Sequence, residues 1–289
     1  MPNGVYSGYV FRVRTQERMM IRHALAAAFA AGLALAQPAC AAEADDGWVS
    51  LANDVFKGRP LVDGTGLLGL EMPARAEDAA IVPVTMRVTL PAGDTRALKA
   101  LTLVIDENPA PVAATFRIGE GAGISTISTR VRVNAYTNVH AVAELSDGQL
   151  YMVKTYVKAS GGCAAPAAKN ADEAIANLGQ MKFRQFGKAG EAPASAPREA
   201  QIMIRHPNNS GLQRDQVTLL YIPPFFVNDL NVWQGDKLLF SMEGGISISE
   251  DPNFRFDFRP NGAGPFRVEA KDTDGKVYRR EWPAGTSEM

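Results

Sequence analysis

Apolar and polar residues alternate along much of the chain beyond residue 80, and this alternation is typical of strands with one buried face. In the first such stretch Val84, Met86 and Val88 alternate with threonine and arginine. The same period of two recurs in four later segments, at residues 127–133, 139–145, 254–258 and 266–271. A continuous apolar run at residues 101–105 indicates a more buried strand. The pattern therefore predicts an all-β protein.

Turn sequences separate these predicted strands. Ser146–Gly148 precedes residues 149–157, a segment rich in β-branched and aromatic side chains, and Asp274-Gly275 precedes a strand at residues 277–281. A further hairpin is predicted over residues 232–240. Short strands separated by turns are typical of sandwiches. We predict two immunoglobulin-like β-sandwich domains, at residues 43–158 and 200–289, that dock on each other.

The segment between the two domains has a different composition. Residues 159–169 are almost all small and are predicted to form an arm, followed by a flexible linker over residues 187–199. An amphipathic pattern at residues 171–186 predicts a helix between them. Upstream, Trp48–Phe56 is predicted to form a short helix that packs on the first domain.

The first 41 residues have the features of a secretory signal peptide. Thirteen uncharged apolar residues at positions 24–36 follow basic residues and precede a small-residue cleavage site near Ala41. Met19 or Met20 is the expected initiator, because a start there gives a signal of ordinary length. A membrane-spanning helix needs about 20 apolar residues, so an uncleaved anchor is disfavoured. A lipoprotein signal acylated at Cys40 is the other alternative. We expect export to the periplasm.

The composition excludes several classes of protein. The net charge is −1, whereas nucleic-acid binding favours a basic surface. Hydrophobic residues make up 46% of the chain, which is enough to form a buried hydrophobic core. Two cysteines cannot build a disulfide scaffold or a cysteine-based zinc cluster. No cofactor and no metal site are predicted.

Removal of the signal would leave Cys163 as the single cysteine of the mature chain. In an oxidising compartment such a thiol stays free or forms an intermolecular disulfide, so a disulfide homodimer is one expectation. Its neighbours Gly161, Gly162, Ala164 and Ala165 are small, which predicts an exposed cysteine on a mobile segment. Burial is the alternative, because free cysteines are among the most buried residues. A thin arm of this kind can carry a sulfur atom into the active site of a partner.

A cysteine enzyme would need a base beside the thiol. His140 is predicted to be a surface histidine on the polar side of its strand, and His206 is predicted to end a strand before Pro207. Neither position suggests a catalytic pair with Cys163. A protein without its own active site is therefore expected.

Ordered motifs along the chain resemble a known carrier. Five motifs of the first half are similar to SoxY, a subunit of the sulfur-oxidation carrier: Asn108–Pro111, Ala114–Phe116, Ser128–Val133, Val142–Gly148 and Val157–Cys163. Three motifs of the second half are similar to the SoxZ subunit: Ile204–Pro207, Ile222–Phe226 and Ser247–Phe254. The whole chain resembles the fused SoxYZ-like carriers associated with quinoprotein dehydrogenases.

The resemblance implies immunoglobulin-like sandwiches, a periplasmic location, and a covalently bound intermediate, expected to be a sulfur species, carried on Cys163 between partner enzymes. Those partners would be sulfur-oxidation enzymes or a quinoprotein dehydrogenase. In SoxY the cysteine lies in a glycine-rich tail at the end of the chain, whereas here Ala164 and Ala165 follow and the chain continues. The alternatives are an interaction module that binds a quinoprotein dehydrogenase, with the cysteine incidental, and a thiol-modifying enzyme.

Overall fold

The computed structural model describes residues 46–166, 175–186, 196–260 and 264–284. Their first half contains helix α1 and eight strands: α1 Asp46–Phe56, β1 Leu61–Asp63, β2 Leu68–Glu71, β3 Val82–Val88, β4 Leu98–Ile105, β5 Val112–Ile118, β6 Thr126–Val131, β7 Thr137–Leu145 and β8 Leu150–Val157. The second half adds seven strands: β9 Met181–Phe186, β10 Arg198–Ile204, β11 Val227–Gln234, β12 Lys237–Gly244, β13 Asn253–Phe258, β14 Phe266–Asp272 and β15 Val277–Trp282.

The strands form two sheets, and both halves contribute to each sheet. The larger sheet has nine strands in the order β1-β8-β7-β4-β5-β12-β11-β14-β15. The smaller sheet has six strands in the order β2-β3-β6-β13-β10-β9. The predicted all-β sandwich fold is confirmed, and the predicted docking of the two halves takes the form of sheets that continue from one half into the other.

The two halves are joined edge to edge in both sheets. In the larger sheet β5 pairs antiparallel with β12, with Ala114 opposite Gly244 and Ile118 opposite Phe240. In the smaller sheet β6 pairs with β13. Each of these strands therefore pairs its backbone groups with the other half, so four edges that would otherwise be open to non-native pairing are closed.

One hydrophobic core lies between the sheets and crosses this junction. Phe116 of the first half lies with its ring 6.1 Å from the rings of both Phe240 and Phe254 of the second half. All three side chains are fully buried. Because the apolar faces of both halves meet in a single core, the halves stabilise each other through packing as well as through backbone hydrogen bonds.

The structure corrects the later part of the helix predicted over residues 171–186, while residues 175 and 176 are helical. Met181–Phe186 forms strand β9, in which Met181 and Phe183 are buried and the lysine and arginine between and after them are exposed. This alternation has a period of two, and pairing with β10 stabilises it as a strand. Residues 171–174 lie outside the described residues, as does most of the predicted linker, and β10 begins at Arg198. The predicted signal peptide also lies outside them.

Helix α1 confirms the helix predicted at Trp48–Phe56, and it packs on the larger sheet through Phe56, Val104, Val142 and Leu150. This packing overturns the prediction of a surface histidine at position 140. The Trp48 ring is stacked on the His140 ring at 3.5 Å, and His140 Nδ1 is 2.9 Å from Asp106 Oδ1. His140 is buried because α1 covers the face of the sheet that the sequence pattern marks as polar. No helix within the described ranges has the length and apolarity needed to cross a membrane.

Candidate functional site

Cys163 lies where the chain leaves β8 and folds back against the first half. The Gly161 amide donates a hydrogen bond to the Asn134 carbonyl at 2.8 Å, and the Gly162 amide donates to the Val133 carbonyl at 3.1 Å. Cys163 has 0% of its surface exposed. The prediction of an exposed cysteine is therefore wrong for this conformation. Ala164 is exposed and Ala165 is partly exposed, so the segment emerges directly after the thiol.

The small residues beside Cys163 allow this close approach. A Cβ atom on Gly162 would lie 2.0 Å from the Ala79 carbonyl oxygen and 2.7 Å from the Val133 carbonyl oxygen. Gly161 has a φ of 77°, a conformation that glycine adopts without the steric cost of a side chain. The residues that predicted an arm thin enough to enter a partner thus also let the arm lie against its own chain.

The second half covers the cysteine with the loop that follows β10. The Ser210 hydroxyl donates a hydrogen bond to the Cys163 carbonyl oxygen and accepts one from the Leu212 amide at 3.2 Å. The Ser210 amide donates to Gln213 Oε1 at 3.0 Å, which holds the loop in shape. Ser210 and Gln213 are both buried. Cys163 is therefore enclosed between the first half and a loop of the second half.

A buried arginine connects the same two parts. Arg132 is 1% exposed, and its guanidinium donates from Nη1 to the Gly162 carbonyl at 3.2 Å and from Nη2 to the Asn208 carbonyl at 3.3 Å. Its Nε atom is buried without a hydrogen-bond partner. Burial lowers the pKa of Arg132, while the charge of Glu250 opposes that shift. Arg132 therefore places a positive charge near the thiol.

Two buried asparagines position Arg132 and its acceptor. Asn108 donates to the Arg132 carbonyl at 2.7 Å and to the Ser247 hydroxyl at 2.8 Å. The second of these hydrogen bonds joins the first half to the second half. Asn208 donates to the Ile248 carbonyl at 3.3 Å and accepts from the Val227 amide at 3.1 Å. These polar groups are satisfied by specific partners at the junction, so the cysteine lies in a polar setting built from both halves.

Burial raises the pKa of the Cys163 thiol to about 11, and the nearby Arg132 charge only partly offsets this effect. The thiolate is the reactive form of cysteine. In this conformation Cys163 is therefore protonated at neutral pH and inaccessible to reagents, so it reacts only after the segment leaves its position.

This arrangement predicts an unusual pH dependence for alkylation. In a chain with Cys40→Ala, in which Cys163 is the only thiol, the rate of reaction with iodoacetamide should rise with pH until about pH 11. The docked state binds the thiol proton more tightly than the undocked one, so docking is strongest below the ordinary thiol pKa and weakens as pH rises towards 11. The urea-unfolded chain should level off near the ordinary thiol pKa of about 8.5. A native profile that also levels off there would contradict the burial of Cys163.

The hydrogen bonds of the two histidines considered with Cys163 are made to other residues. His206 accepts a hydrogen bond from the Asn208 amide at 3.1 Å, and its Nε2 is 3.8 Å from Asp272 Oδ2. Burial lowers the pKa of His206. His140 lies under α1, as described above. Within the described ranges no group of three or more His, Cys, Asp or Glu residues is placed to hold a metal ion.

Comparison with protein families finds two matches that follow each other along the chain. Residues 52–163 match the family model "Sulfur oxidation protein SoxY", and residues 188–283 match "Sulphur oxidation protein SoxZ". The first match ends at Cys163, and the second includes the loop that covers it. No curated protein sequence matches the chain significantly. The chain therefore carries a SoxY domain and a SoxZ domain in tandem.

Similar solved structures include three that each cover between 32% and 39% of this chain. The sulfur carrier protein SoxY from Chlorobium limicola f thiosulfatophilum is 21% identical, with a TM-score of 0.32, over 39% of this chain and 96% of its own. A superoxide reductase (neelaredoxin) from Ignicoccus hospitalis is 11% identical, with a TM-score of 0.29, over 32% of this chain and 79% of its own. A putative superoxide reductase from Thermotoga maritima is 12% identical, with a TM-score of 0.29, over 35% and 92%. Similarity at this level carries no information about function.

Proposed function

We propose that this fused SoxY–SoxZ chain is an exported carrier protein that holds a covalently bound sulfur intermediate on Cys163 and presents it to partner enzymes in the periplasm. The supporting observation is the placement of Cys163 on a segment of small residues at the junction of the two domains. That segment is held by main-chain hydrogen bonds and by contacts from Arg132 and Ser210. Contacts of this kind can break and form again without unfolding either half.

The carrier alternates between two positions of the Cys163 segment. When the segment is docked, the thiol is buried and its pKa is raised, which protects it from oxidation and exchange in an oxidising compartment. When the segment is released, the thiol regains an ordinary pKa and can form a bond with its cargo. A partner enzyme catalyses the transfer, and this chain provides Cys163 as the attachment site.

The released segment presents the cysteine as a loop, because the chain continues into β9 and the second half. The arm of residues 159–169 has eleven residues. If it doubles back as a loop, the tip of the loop extends about 15–18 Å from its two ends. Such a loop suits a shallow active site better than a deep tunnel. The fusion also keeps the SoxZ domain beside the SoxY domain at a high effective concentration.

The proposed partners are sulfur-oxidation enzymes or a quinoprotein dehydrogenase. The chemical identity of the group carried on Cys163 distinguishes these two classes of partner. A second candidate function is a non-catalytic interaction module in which Cys163 is incidental. The complete burial of Cys163 favours this alternative, since a structural cysteine would also be buried. The two functions differ in whether Cys163 ever carries a covalent group.

Intact mass spectrometry of the protein purified from its own periplasm tests the proposal. Cells are grown with a reduced sulfur compound or with an alcohol, and the mass is measured with and without reductant. An added mass mapped to Cys163 supports the carrier function, and its dependence on the growth substrate identifies the cargo. Cys163→Ser should abolish the added mass and the substrate-dependent oxidation while the β-sheet signal in circular dichroism is retained. An unmodified Cys163 under every condition, with an active Cys163→Ser variant, would favour the interaction module.

A further inference from the structure

A short hairpin beside the cysteine site presents apolar side chains to solvent. The hairpin spans residues 213–222, and its tip contains Val217, Leu219, Leu220 and Tyr221, each between 59% and 90% exposed. A contiguous group of exposed apolar side chains is unusual on a soluble surface and marks an interaction site.

The hairpin has a defined shape, so this exposure belongs to an ordered element. The Ile222 amide donates to the Gln213 carbonyl, and the Asp215 amide donates to the Leu220 carbonyl, both at 2.9 Å. The Asp215 carboxylate also accepts hydrogen bonds from the amides of residues 217 and 218. Leu219 adopts a φ of 60°, a conformation that costs about 1–2 kcal/mol for a residue with a side chain. The chain thus holds an apolar side chain outward at an energetic cost.

The base of the hairpin is part of the loop that encloses Cys163. Gln213 bonds the Ser210 amide through its side chain and the Ile222 amide through its carbonyl. Ser210 in turn donates to the Cys163 carbonyl. The hairpin therefore continues directly into the junction between the SoxY and SoxZ domains at which the cysteine is docked.

We propose that the tip of the 213–222 hairpin is the docking element for the enzyme that acts on Cys163, and that it inserts into an apolar depression beside that enzyme's active site. This inference rests on the proposed carrier function. The hairpin is continuous with the loop that encloses Cys163. A partner bound to the tip would therefore lie beside the Cys163 segment when that segment is released, which favours the enzyme that acts on Cys163. Displacing the hairpin also loosens the loop that Ser210 uses to hold the segment.

The size and charge of the tip argue against other occupants. A stable homodimer interface buries about 800 Å² per partner, which four side chains on one turn do not supply. Binding to anionic lipid needs clusters of Lys and Arg. The hairpin instead carries Arg214, whose guanidinium lies over the Tyr221 ring at 4.6 Å. The Asp215 carboxylate accepts hydrogen bonds from backbone amides. A small apolar tip fits a transient complex, and a carrier must leave its enzyme after each transfer.

The double variant Val217→Ser with Leu220→Ser tests the proposal in the native host. The measured quantity is the fraction of Cys163 that carries the covalent group, determined by intact mass. We expect this fraction to fall at least about fivefold, because removing central apolar anchors costs more than 1 kcal/mol of binding. Tyr156→Ser, at an exposed position of β8 in the first half, is the matched control and should retain the wild-type fraction.

A photo-crosslinking residue at position 217, with the same residue at position 156 as control, identifies the occupant. A crosslink from position 217 to an enzyme that in purified form changes the group on Cys163 supports the proposal. A crosslinked pair of carrier chains, a lipid adduct alone, or equal crosslinking from both positions would overturn it. An unchanged modified fraction in the double variant would overturn only the docking role. An absence of any group on wild-type Cys163 would instead refute the carrier function on which it depends.

Discussion

Replacing Gly162 with alanine is expected to raise the alkylation rate of Cys163 by about tenfold to a hundredfold in the Cys40→Ala background. The added methyl group would meet the Ala79 and Val133 carbonyl oxygens at distances far below van der Waals contact. Overpacking of this kind costs about 1–3 kcal/mol, and each 1.4 kcal/mol changes an equilibrium tenfold. Because the Ala79 carbonyl accepts a hydrogen bond from the Val133 amide, it cannot move aside cheaply.

The measurement is the second-order rate constant for iodoacetamide at pH 7.5, with circular dichroism to show that the fold is intact. Gly69→Ala in β2 is the matched control, since a Cβ there would lie 3.7 Å from the nearest atom, an ordinary contact. Its alkylation rate should equal that of the parent chain. An unchanged rate in Gly162→Ala would mean that the segment does not occupy the described position in solution.

Replacing Arg132 with leucine should release the Cys163 segment by a different route. The substitution removes the hydrogen bonds to the Gly162 and Asn208 carbonyls and leaves these acceptors without that partner. Hydrogen bonds from a charged group contribute about 1.5–3 kcal/mol each, and relief of the buried charge offsets part of that loss. We expect the alkylation rate of Cys163 to rise at least about tenfold.

Arg130→Leu is the matched control for this prediction. Arg130 lies two residues earlier and donates to the Asp251 carbonyl at 2.7 Å, an acceptor outside the Cys163 segment. Its loss should leave the alkylation rate unchanged. Arg132→Lys keeps the charge but lacks the planar fork that reaches two acceptors, so an intermediate rate is expected. Equal rates for Arg130→Leu and Arg132→Leu would show that Arg132 does not hold the segment.

The sequence was sufficient to predict most strands. The period of two in Val84–Val88 and Phe254–Phe258 predicts strands that the structure contains as β3 and β13. The predicted hairpin at residues 232–240 is formed by β11 and β12. Strands β1, β2 and β5 were not predicted, and β9 was predicted to be helical. These are short strands or strands stabilised by pairing with distant residues, which local patterns do not report.

The groups that enclose Cys163 were not predicted. Arg132 belongs to the polar side of its strand pattern, and a polar position next to a strand end is ordinarily a solvated one. It is buried because residues more than 70 positions later cover it, as its hydrogen bond to the Asn208 carbonyl shows. Asn108, Arg132 and Ser247 all lie within the sequence motifs, but the motifs did not predict that the Asn108 side chain bridges the halves through Ser247.

By itself the sequence determined the fold class, the SoxY-like and SoxZ-like order of motifs, and the thin composition of the Cys163 segment, because these depend on residues close together in the chain. Only the tertiary structure decided whether the thiol is exposed. Burial depends on surfaces brought from both halves, and the continuous sheets place the Ser210 loop and Arg132 over a segment that is small enough to fit beneath them. The same small side chains that predict an arm therefore produce a buried cysteine once the second half is in place.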